Sequence, residues 1–463
     1  MCSINEENDE ALEFIPEEKY QLLDNALCQK CKVEQALVVL RGKDVYCNTC
    51  FLLSATHKFR ATLGKSKIVR PSDKILVAHS GKSGSTVLLH LIKAGMHESV
   101  HKRLVFETKI VYIDEGAIDG QNCEERSAKI EAIKEQIAYL GFQCFAQTLS
   151  QSLINDMPRT FKLETLSSSL ENFTNEDERL REILSKLPNR TSKLELIKKL
   201  RKKLIFNAAR NLNCNKIFLA DDSTSLAIDI LSNVSLGRGA QLSLDVGFLD
   251  DRFCDVSILR PMRDFSRHEL QTYLKIHDLK ILCENGNPKL KTLNSIQELT
   301  EKFVTDLDSQ FNGTVSTVFR TGEKVCSISN KNRSDDENCA LCDAPLDTKA
   351  SEDVISAIQA TSFSKLLSSQ GPEGNIRGNQ QILENLSSKE SEKLEKCENC
   401  SGTCAKNSEL SLTLETLTKF LCYGCRLIFR SSDIQDVPRS ILDIVRQKVS
   451  LESMREEITD FLL

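Results

Sequence analysis

The feature that most restricts how this chain can fold is a set of paired cysteines placed just before a strand, a phosphate-type loop and a helix. The set comprises Cys28, Cys31, Cys47 and Cys50, and fifteen residues separate the two Cys-x-x-Cys units. A two-residue gap lets both thiolates of a unit face one ion, and a connection of this length lets the second unit complete a tetrahedron. Four unrelated thiols or a redox pair are the alternatives. The spacing therefore favours a zinc knot that spans residues 26–60.

A second group of cysteine pairs lies towards the C-terminus. We expect a second four-sulfur zinc site formed by Cys339, Cys342, Cys422 and Cys425. The long connection between the two pairs is acceptable because the entropy of closing a loop grows only with the logarithm of its length. Competing ligands lie between the pairs, namely Cys397, Cys400 and Cys404. The outer pairs are favoured because each opens or closes a patterned segment.

Composition is that of a soluble globular protein. The chain has 463 residues, a net charge of −5, 40% hydrophobic residues and 27% charged residues. This length predicts two or three domains, and the charge predicts that nucleic acid would be contacted only by local basic patches. No apolar run reaches the roughly 18 residues of a membrane span, and the acidic start does not resemble a signal peptide. Eighteen cysteines then indicate metal ligands or free thiols in the reducing cytosol or nucleus.

Hydrophobic patterning divides the chain into four parts. Residues 1–25 are predicted to form an acidic tail ahead of the zinc knot. Residues 70–285 alternate strand and helix around a polar insertion near 150–190, which is typical of a doubly wound parallel-sheet α/β domain. Residues 290–463 lose this rhythm and hold the second cysteine group, together with a predicted mobile insertion at 346–396.

The turn after the first strand of this domain resembles a nucleotide loop with one substitution. A Walker A motif is excluded because Leu76 stands where its first glycine belongs. The pyrophosphatase (PP) loop of ATP-dependent adenylating enzymes, Ser-Gly-Gly-x-x-Ser, is matched at Ser80, Gly81 and Ser85, but Lys82 replaces the second glycine. A side chain there can block the backbone geometry and the approach of phosphate to the helix N-terminus. The turn is therefore either a degenerate nucleotide site or a turn without a ligand.

Two other segments could face the same crevice. Asp222 and Ser223 follow a later strand, and ligands of doubly wound sheets bind at the carboxyl ends of strands. A simple helix N-cap explains Asp222 equally well. Arg260 and Arg263 follow a further strand and could contact phosphate or an RNA backbone, although such arginines are often merely solvated.

Basic residues cluster in two places. Lys58, Arg60 and Lys65 belong to a cluster between the zinc knot and the loop, where they could follow an RNA backbone. The second cluster, within residues 198–203, is predicted to be a solvated helix face.

Taken together, these residues resemble the cytoplasmic tRNA 2-thiolation protein 2 family. The matching stretches are Cys28-x-x-Cys31-Lys32, Tyr46-Cys47-x-x-Cys50-Phe51, Phe59-Arg60-x-x-Leu63-Gly64-Lys65, Ser80-Gly81, Asp222-Ser223 with Leu226-Ala227, Leu236-Gly237-Arg238-Gly239-Ala240, Arg260-Pro261-Met262-Arg263-Asp264 and Leu421-Cys422-Tyr423-Gly424-Cys425-Arg426. The resemblance implies an adenine-nucleotide α-hydrolase-like (PP-loop) domain and a cytoplasmic protein. It also implies a heterodimer with 2-thiolation protein 1 that acts on the wobble uridine of Lys, Glu and Gln tRNAs, with sulfur from a thiocarboxylated ubiquitin-related modifier.

In that scheme an intact loop adenylates the uridine C2 oxygen, and sulfur then displaces AMP. This chain lacks the second loop glycine and shows no matched pair of catalytic cysteines in its α/β domain. We therefore expect the catalytic centre, with its ATP and magnesium, on the partner subunit. Two alternatives remain: an ATP-dependent tRNA adenylating and sulfur-transfer ligase in its own right, and a zinc-ribbon interaction scaffold with no role in tRNA chemistry.

Overall fold

A computed structural model describes most residues of the chain. The described ranges are 26–40, 44–98, 103–154, 158–253, 255–282, 294–311, 313–325, 338–346, 412–430 and 432–461. The predicted acidic tail, nearly all of the predicted 346–396 insertion, and Cys397, Cys400 and Cys404 lie outside these ranges. Among the helices of the described ranges, none combines the length and apolarity that crossing a membrane requires.

The N-terminal region is a small antiparallel hairpin followed by a long helix. Strands β1 (Val38–Leu40) and β2 (Asp44–Tyr46) pair so that Val38 lies opposite Tyr46. Helix α1 (Asn48–Ser66) buries one face, including Phe51, Phe59 and Leu63, in the main hydrophobic core. The hairpin and helix thus attach the first cysteine group to the α/β domain.

A seven-stranded sheet forms the centre of the protein. Its strands are β3 (Lys74–His79), β4 (Glu107–Asp114), β5 (Gln143–Thr148), β6 (Phe161–Lys162), β7 (Lys216–Phe218), β8 (Leu249–Asp250) and β9 (Ser257–Leu259). Their order is β6-β5-β4-β3-β7-β9-β8, with parallel pairing from β5 through β9 and antiparallel pairing of the two edge strands β6 and β8. Ile75, Leu76 and Val77 of β3 are fully buried, as expected for a central parallel strand covered on both faces.

Helices cover both faces of this sheet. They are α2 (Ser83–Met96), α3 (Cys123–Ala138), α4 (Leu163–Leu166), α5 (Thr174–Lys186), α6 (Arg190–Asn211), α7 (Ser223–Ser235), α8 (Leu242–Val246) and α9 (Arg267–His277). One core cluster joins α1, α2, α3 and α9 to the sheet, and a separate cluster packs α6 against it. Capping boxes start α3, α7 and α9, which explains why these helices begin where they do. The predicted doubly wound α/β class is confirmed.

The C-terminal region is helical in its described part. Its helices are α10 (Ile296–Gln310), α11 (Thr314–Lys324), α12 (Leu414–Lys419), α13 (Tyr423–Ile428) and α14 (Arg439–Phe461). Helices α10 and α11 pack on α7, as shown by Val304 and Val315 against Ala227. The second cysteine group lies in one hydrophobic cluster with side chains of α5 and α6. The C-terminal region therefore continues the core of the α/β domain.

Candidate metal centres and nucleotide crevice

The N-terminal cysteine group is formed by a tight turn and a helix start. The sulfur atoms of Cys28, Cys31, Cys47 and Cys50 all lie within 4.8 Å of one another, and those of Cys31 and Cys47 are 3.9 Å apart. Lys32 follows the first pair with a left-handed φ of 56°, which reverses the chain. The second pair starts α1, where Cys47 is the N-cap and accepts a hydrogen bond from the Cys50 N–H.

The C-terminal cysteine group repeats this construction. The sulfur atoms of Cys339, Cys342, Cys422 and Cys425 also lie within 4.8 Å of one another, and those of Cys342 and Cys422 are 3.7 Å apart. Asp343 follows the first pair with a φ of 55°. Cys422 is the N-cap of α13, so the second pair again lies at a helix N-terminus. A helix N-terminus favours negative charge, which suits thiolate ligands.

The thiols of each group cannot all ionise without a compensating cation. The hydrogen bond with Cys339 lowers the pKa of Cys342 to about 6, whereas burial raises the pKa of Cys339 well above its ordinary value. Burial opposes ionisation of Cys28, yet hydrogen bonds from backbone N–H groups lower its pKa to about 6; contact with Glu34 raises the pKa of Cys47. Ionisation of one thiol makes ionisation of its neighbour less favourable. A bound cation would stabilise all four thiolates.

The spacing of the sulfur atoms fits a single tetrahedral ion. A zinc–sulfur bond of about 2.3 Å places the corners of a tetrahedron about 3.8 Å apart. The observed separations of 3.9 and 3.7 Å agree with that edge. In a [4Fe–4S] cluster each cysteine binds a different iron, so the cysteine sulfurs lie farther apart than around one ion. Both groups could therefore each hold one metal ion with four thiolates.

The loop between β3 and α2 is internally hydrogen-bonded. The Ser80 N–H donates to Ser85 Oγ at 3.2 Å, and the two hydroxyl oxygens are 3.3 Å apart. Gly81 has a φ of 75°, which explains the glycine at that position. Lys82 is exposed and has a φ of −88°, so its side chain causes no backbone strain. Lys82 therefore does not block the backbone geometry of the loop, and its remaining effect would be to hinder the approach of phosphate.

The loop lies beside the start of α7 at the carboxyl edge of the sheet. A Cβ atom on Gly84 would lie 2.6 Å from the carbonyl oxygen of Ala220, so the first turn of α2 directly contacts the chain after β7. Asp222 caps α7 by accepting from the Ser225 N–H at 2.7 Å, and burial raises its pKa. Ser223 donates its hydroxyl to the Phe265 carbonyl at 2.9 Å. The two predicted segments are in contact at the carboxyl edge of the sheet, but the polar side chains of Asp222 and Ser223 have internal partners.

The arginines after β9 point into the protein. Arg260 is 2% exposed, and it donates to Asp221 at 3.0 Å and to the Gly247 carbonyl at 2.7 Å. Arg263 is 7% exposed and lies 4.9 Å from the centre of the Phe319 ring. Both guanidinium groups thus have internal contacts in this conformation, because their carboxylate, carbonyl and aromatic partners come from neighbouring elements.

Side chains of the first basic cluster differ in exposure. Lys58 pairs with Glu269 and lies over the Phe265 ring, so it joins α1 to α9. Arg60 is partly buried, whereas Lys65 in the last turn of α1 is exposed. Of the three, Lys65 is therefore the most available to solvent.

The prediction of a solvated helix face within residues 198–203 is wrong for Lys199 and Lys202, whereas the side chains of Lys198 and Arg201 are 43% and 40% exposed. Lys199 is 5% exposed and pairs with Asp245, and Lys202 pairs with Asp250 at 2.7 Å. The carboxylate partners come from α8 and β8, more than forty residues further along the chain. Sequence spacing along α6 could not reveal them.

Sequence reasoning also missed a set of side chains around the C-terminal cysteines. Arg238 is 2% exposed and pairs with Glu195 of α6. Gln241 Oε1 lies 3.8 Å from Cys342 Sγ, and Arg252 donates to the Cys342 carbonyl at 2.8 Å. The available signal was an arginine between two glycines in Gly237-Arg238-Gly239, which marks a tight turn with a charge inside it.

Comparisons with known proteins agree on one family. The family model of cytoplasmic tRNA 2-thiolation protein 2 matches residues 295–427. The protein of that name from Xenopus tropicalis is 31% identical over 499 residues, covering 94% of each chain. The Danio rerio protein is 31% identical and covers 95% of this chain and 94% of its own; the Homo sapiens protein is 30% identical and covers 80% and 82%.

One solved structure that is similar to this chain is a tRNA thiolase. The U34-tRNA thiolase NcsA from Methanococcus maripaludis, determined with its [4Fe-4S] cluster, has a TM-score of 0.47 and 15% identity, covering 65% of this chain and 87% of that chain. The classification rests on the sequence relatives, which are at least 30% identical over most of the chain. This chain belongs to the cytoplasmic tRNA 2-thiolation protein 2 family.

Proposed function

We propose that this chain is a subunit required for 2-thiolation of the wobble uridine in cytosolic Lys, Glu and Gln tRNAs. It acts in the cytoplasm as a heterodimer with 2-thiolation protein 1 and uses sulfur from a thiocarboxylated ubiquitin-related modifier. The observation that supports the proposal is the alignment, over 94% of the chain, with a relative named for tRNA 2-thiolation.

We assign the chemical step to the partner subunit. In this chain Lys82 occupies the position of the second loop glycine, and the Asp222 and Ser223 side chains have internal partners. Burial raises the pKa of Cys144 to about 12 and also raises that of Cys214, so neither of these two thiols is a ready nucleophile at neutral pH. ATP and magnesium then belong to the partner's loop.

We further propose that each four-cysteine group holds one zinc ion with a structural role. When bound, zinc supplies a closed four-coordinate link with no open position for substrate. The N-terminal cysteines would fix the hairpin against α1. The C-terminal cysteines would fix residues 338–346 against α13, two segments that are about eighty residues apart.

For tRNA, we propose a phosphate-contacting surface on α1. Lys65 is its exposed member, and the partly buried Arg60 lies five residues earlier, about 1.4 turns away, on the helix that leads from the N-terminal cysteine group to the loop. In this proposal Lys58 holds α1 against α9 through Glu269, whereas the buried Arg260 and Arg263 contact other elements and lie outside the surface.

A rescue experiment tests the non-catalytic assignment. In cells lacking this chain, wobble 2-thiouridine is measured by mass spectrometry after rescue with wild type, Lys82→Glu or Lys302→Glu. Lys82 is exposed and unstrained, so reversing its charge disturbs a phosphate site without disturbing the fold; Lys302 is an exposed control on α10. We expect all three to restore thiolation equally. Failure of Lys82→Glu alone, with partner binding intact, would favour the alternative of a catalytically active ligase.

A further inference from the structure

The turn after α7 packs directly on the C-terminal cysteine group. Gly237 has a φ of 70°, and a Cβ atom there would lie 2.5 Å from the Tyr423 ring. A Cβ atom on Gly424 would lie 2.1 Å from Arg238 Nε. The Arg238 side chain therefore lies across the backbone between Cys422 and Cys425, and only glycine leaves room for it.

Two donors at this contact have no hydrogen-bond partner among the described residues. Arg238 uses one terminal nitrogen for Glu195, but its buried Nε has no acceptor. The Gln241 Nε2 is likewise buried and unpaired, while its Oε1 lies 3.8 Å from Cys342 Sγ. Leaving a buried donor unpaired destabilises the folded state, so each is expected to have an acceptor in the functional protein.

A half-turn of the Gln241 side-chain amide would give its unpaired nitrogen an acceptor. The oxygen and nitrogen of a glutamine amide are assigned from the hydrogen-bond network, and a half-turn exchanges them. In the orientation shown, Oε1 faces Cys342 Sγ at 3.8 Å, an arrangement that only a sulfur carrying a hydrogen can satisfy. With a metal-bound thiolate, the exchanged amide donates an N–H to sulfur, and the unpaired nitrogen finds its acceptor.

The negative charge of a four-thiolate metal centre also favours a role for Arg238. Four thiolates on one divalent ion leave a net charge of two negatives, which is costly to bury. An arginine guanidinium is charged throughout the physiological pH range, and the Arg238 side chain lies across the backbone between Cys422 and Cys425. The guanidinium therefore stays charged beside the sulfurs.

We propose that Arg238 and Gln241 are positioning residues of the C-terminal metal centre. Arg238 offsets the negative charge of the four-thiolate centre, and Gln241 donates an N–H to Cys342 Sγ. This inference rests on the metal assignment of the preceding section and concerns residues that hold the ligands rather than the ligands themselves.

Metal retention by the purified full chain tests it. Zinc per chain is measured by mass spectrometry after dialysis, and zinc release to a chromogenic chelator is followed in time. The variants are Arg238→Met, Gln241→Leu and the double variant Arg238→Met with Glu195→Gln. The double variant removes the carboxylate charge that the single variant would strand in the core. Arg210→Met, at a surface ion pair with Asp255, is the control for loss of one positive charge.

Wild type should hold two zinc ions; fewer would overturn the metal assignment itself. Loss of an outer partner typically weakens metal binding about 10–100-fold. We expect Arg238→Met and the double variant each to release one of the two ions faster by a factor in that range, with the other ion unchanged. Gln241→Leu should show a smaller acceleration of the same ion, and Arg210→Met none. If the double variant released zinc at the wild-type rate, the inference would be overturned, because Arg238 would then serve only as a partner for Glu195.

Discussion

Alanine at Gly84 and alanine at Gly64 should change stability in opposite directions. Both glycines lie in helices, where alanine normally gains about 0.5–1 kcal/mol over glycine. At Gly64 in α1 a Cβ atom would have nothing within 4 Å, so that gain should appear in full. At Gly84 the Cβ atom would lie 2.6 Å from the Ala220 carbonyl oxygen, which is a backbone atom and cannot rotate away.

The net effect at Gly84 follows from comparing the two terms. Overpacking costs about 1–3 kcal/mol, and at a backbone contact the upper part of this range applies. The clash therefore exceeds the helix-propensity gain, and Gly84→Ala should destabilise the protein by roughly 1–2 kcal/mol after subtraction. The displaced α2 would also move away from the start of α7.

Urea unfolding followed by circular dichroism measures both variants. Gly64→Ala should raise the urea concentration at the midpoint of unfolding, and Gly84→Ala should lower it. If the urea midpoint of Gly84→Ala equals or exceeds that of wild type, the close contact between α2 and the chain after β7 is refuted.

Three further predictions concern metal, pH and RNA. Removing both zinc ions with a chelator should lower the unfolding temperature sharply and expose residues 338–346 to protease, since each ion contributes on the order of 10 kcal/mol of binding free energy; unchanged calorimetry would contradict this. Burial opposes the Asp250 charge but Lys202 and Arg252 hold its pKa at about 2. Because the folded pKa lies below the unfolded value near 3.9, the free energy of unfolding of wild type should fall by about 2 kcal/mol between roughly pH 4 and pH 2. In Asp250→Asn the urea midpoint should depend less on pH over this range. Lys65→Glu should weaken tRNA binding by the heterodimer and reduce its salt dependence by about one phosphate contact, whereas Lys302→Glu should not; equal binding by both would remove α1 from the RNA surface.

Local patterns were sufficient to predict the framework. The Cys-x-x-Cys units determine ligand geometry within a few residues, and both groups converge as expected. The parallel strands were predictable because fully buried strands are continuous apolar runs such as Ile75, Leu76 and Val77. The antiparallel edge strands β6 and β8 are two residues long and carry no comparable pattern.

Partners that are distant in sequence were not predictable. Arg260 and Lys199 resembled surface charges, yet each is buried against a carboxylate from another element. Arg238 was recognised only as part of a family motif, although its environment is formed by α6 and α13. In each case the physical role depends on a tertiary contact that no periodicity encodes.

Reconstitution with purified components tests the central proposal most directly. Wobble 2-thiouridine would be measured in a Lys tRNA transcript incubated with the 2-thiolation protein 1 subunit, ATP, magnesium and the thiocarboxylated modifier, with and without this chain. We predict 2-thiouridine only when this chain is present, and no product from this chain without its partner. Equal product in its absence would contradict the account, and product from this chain alone would transfer the catalytic centre to its own loop.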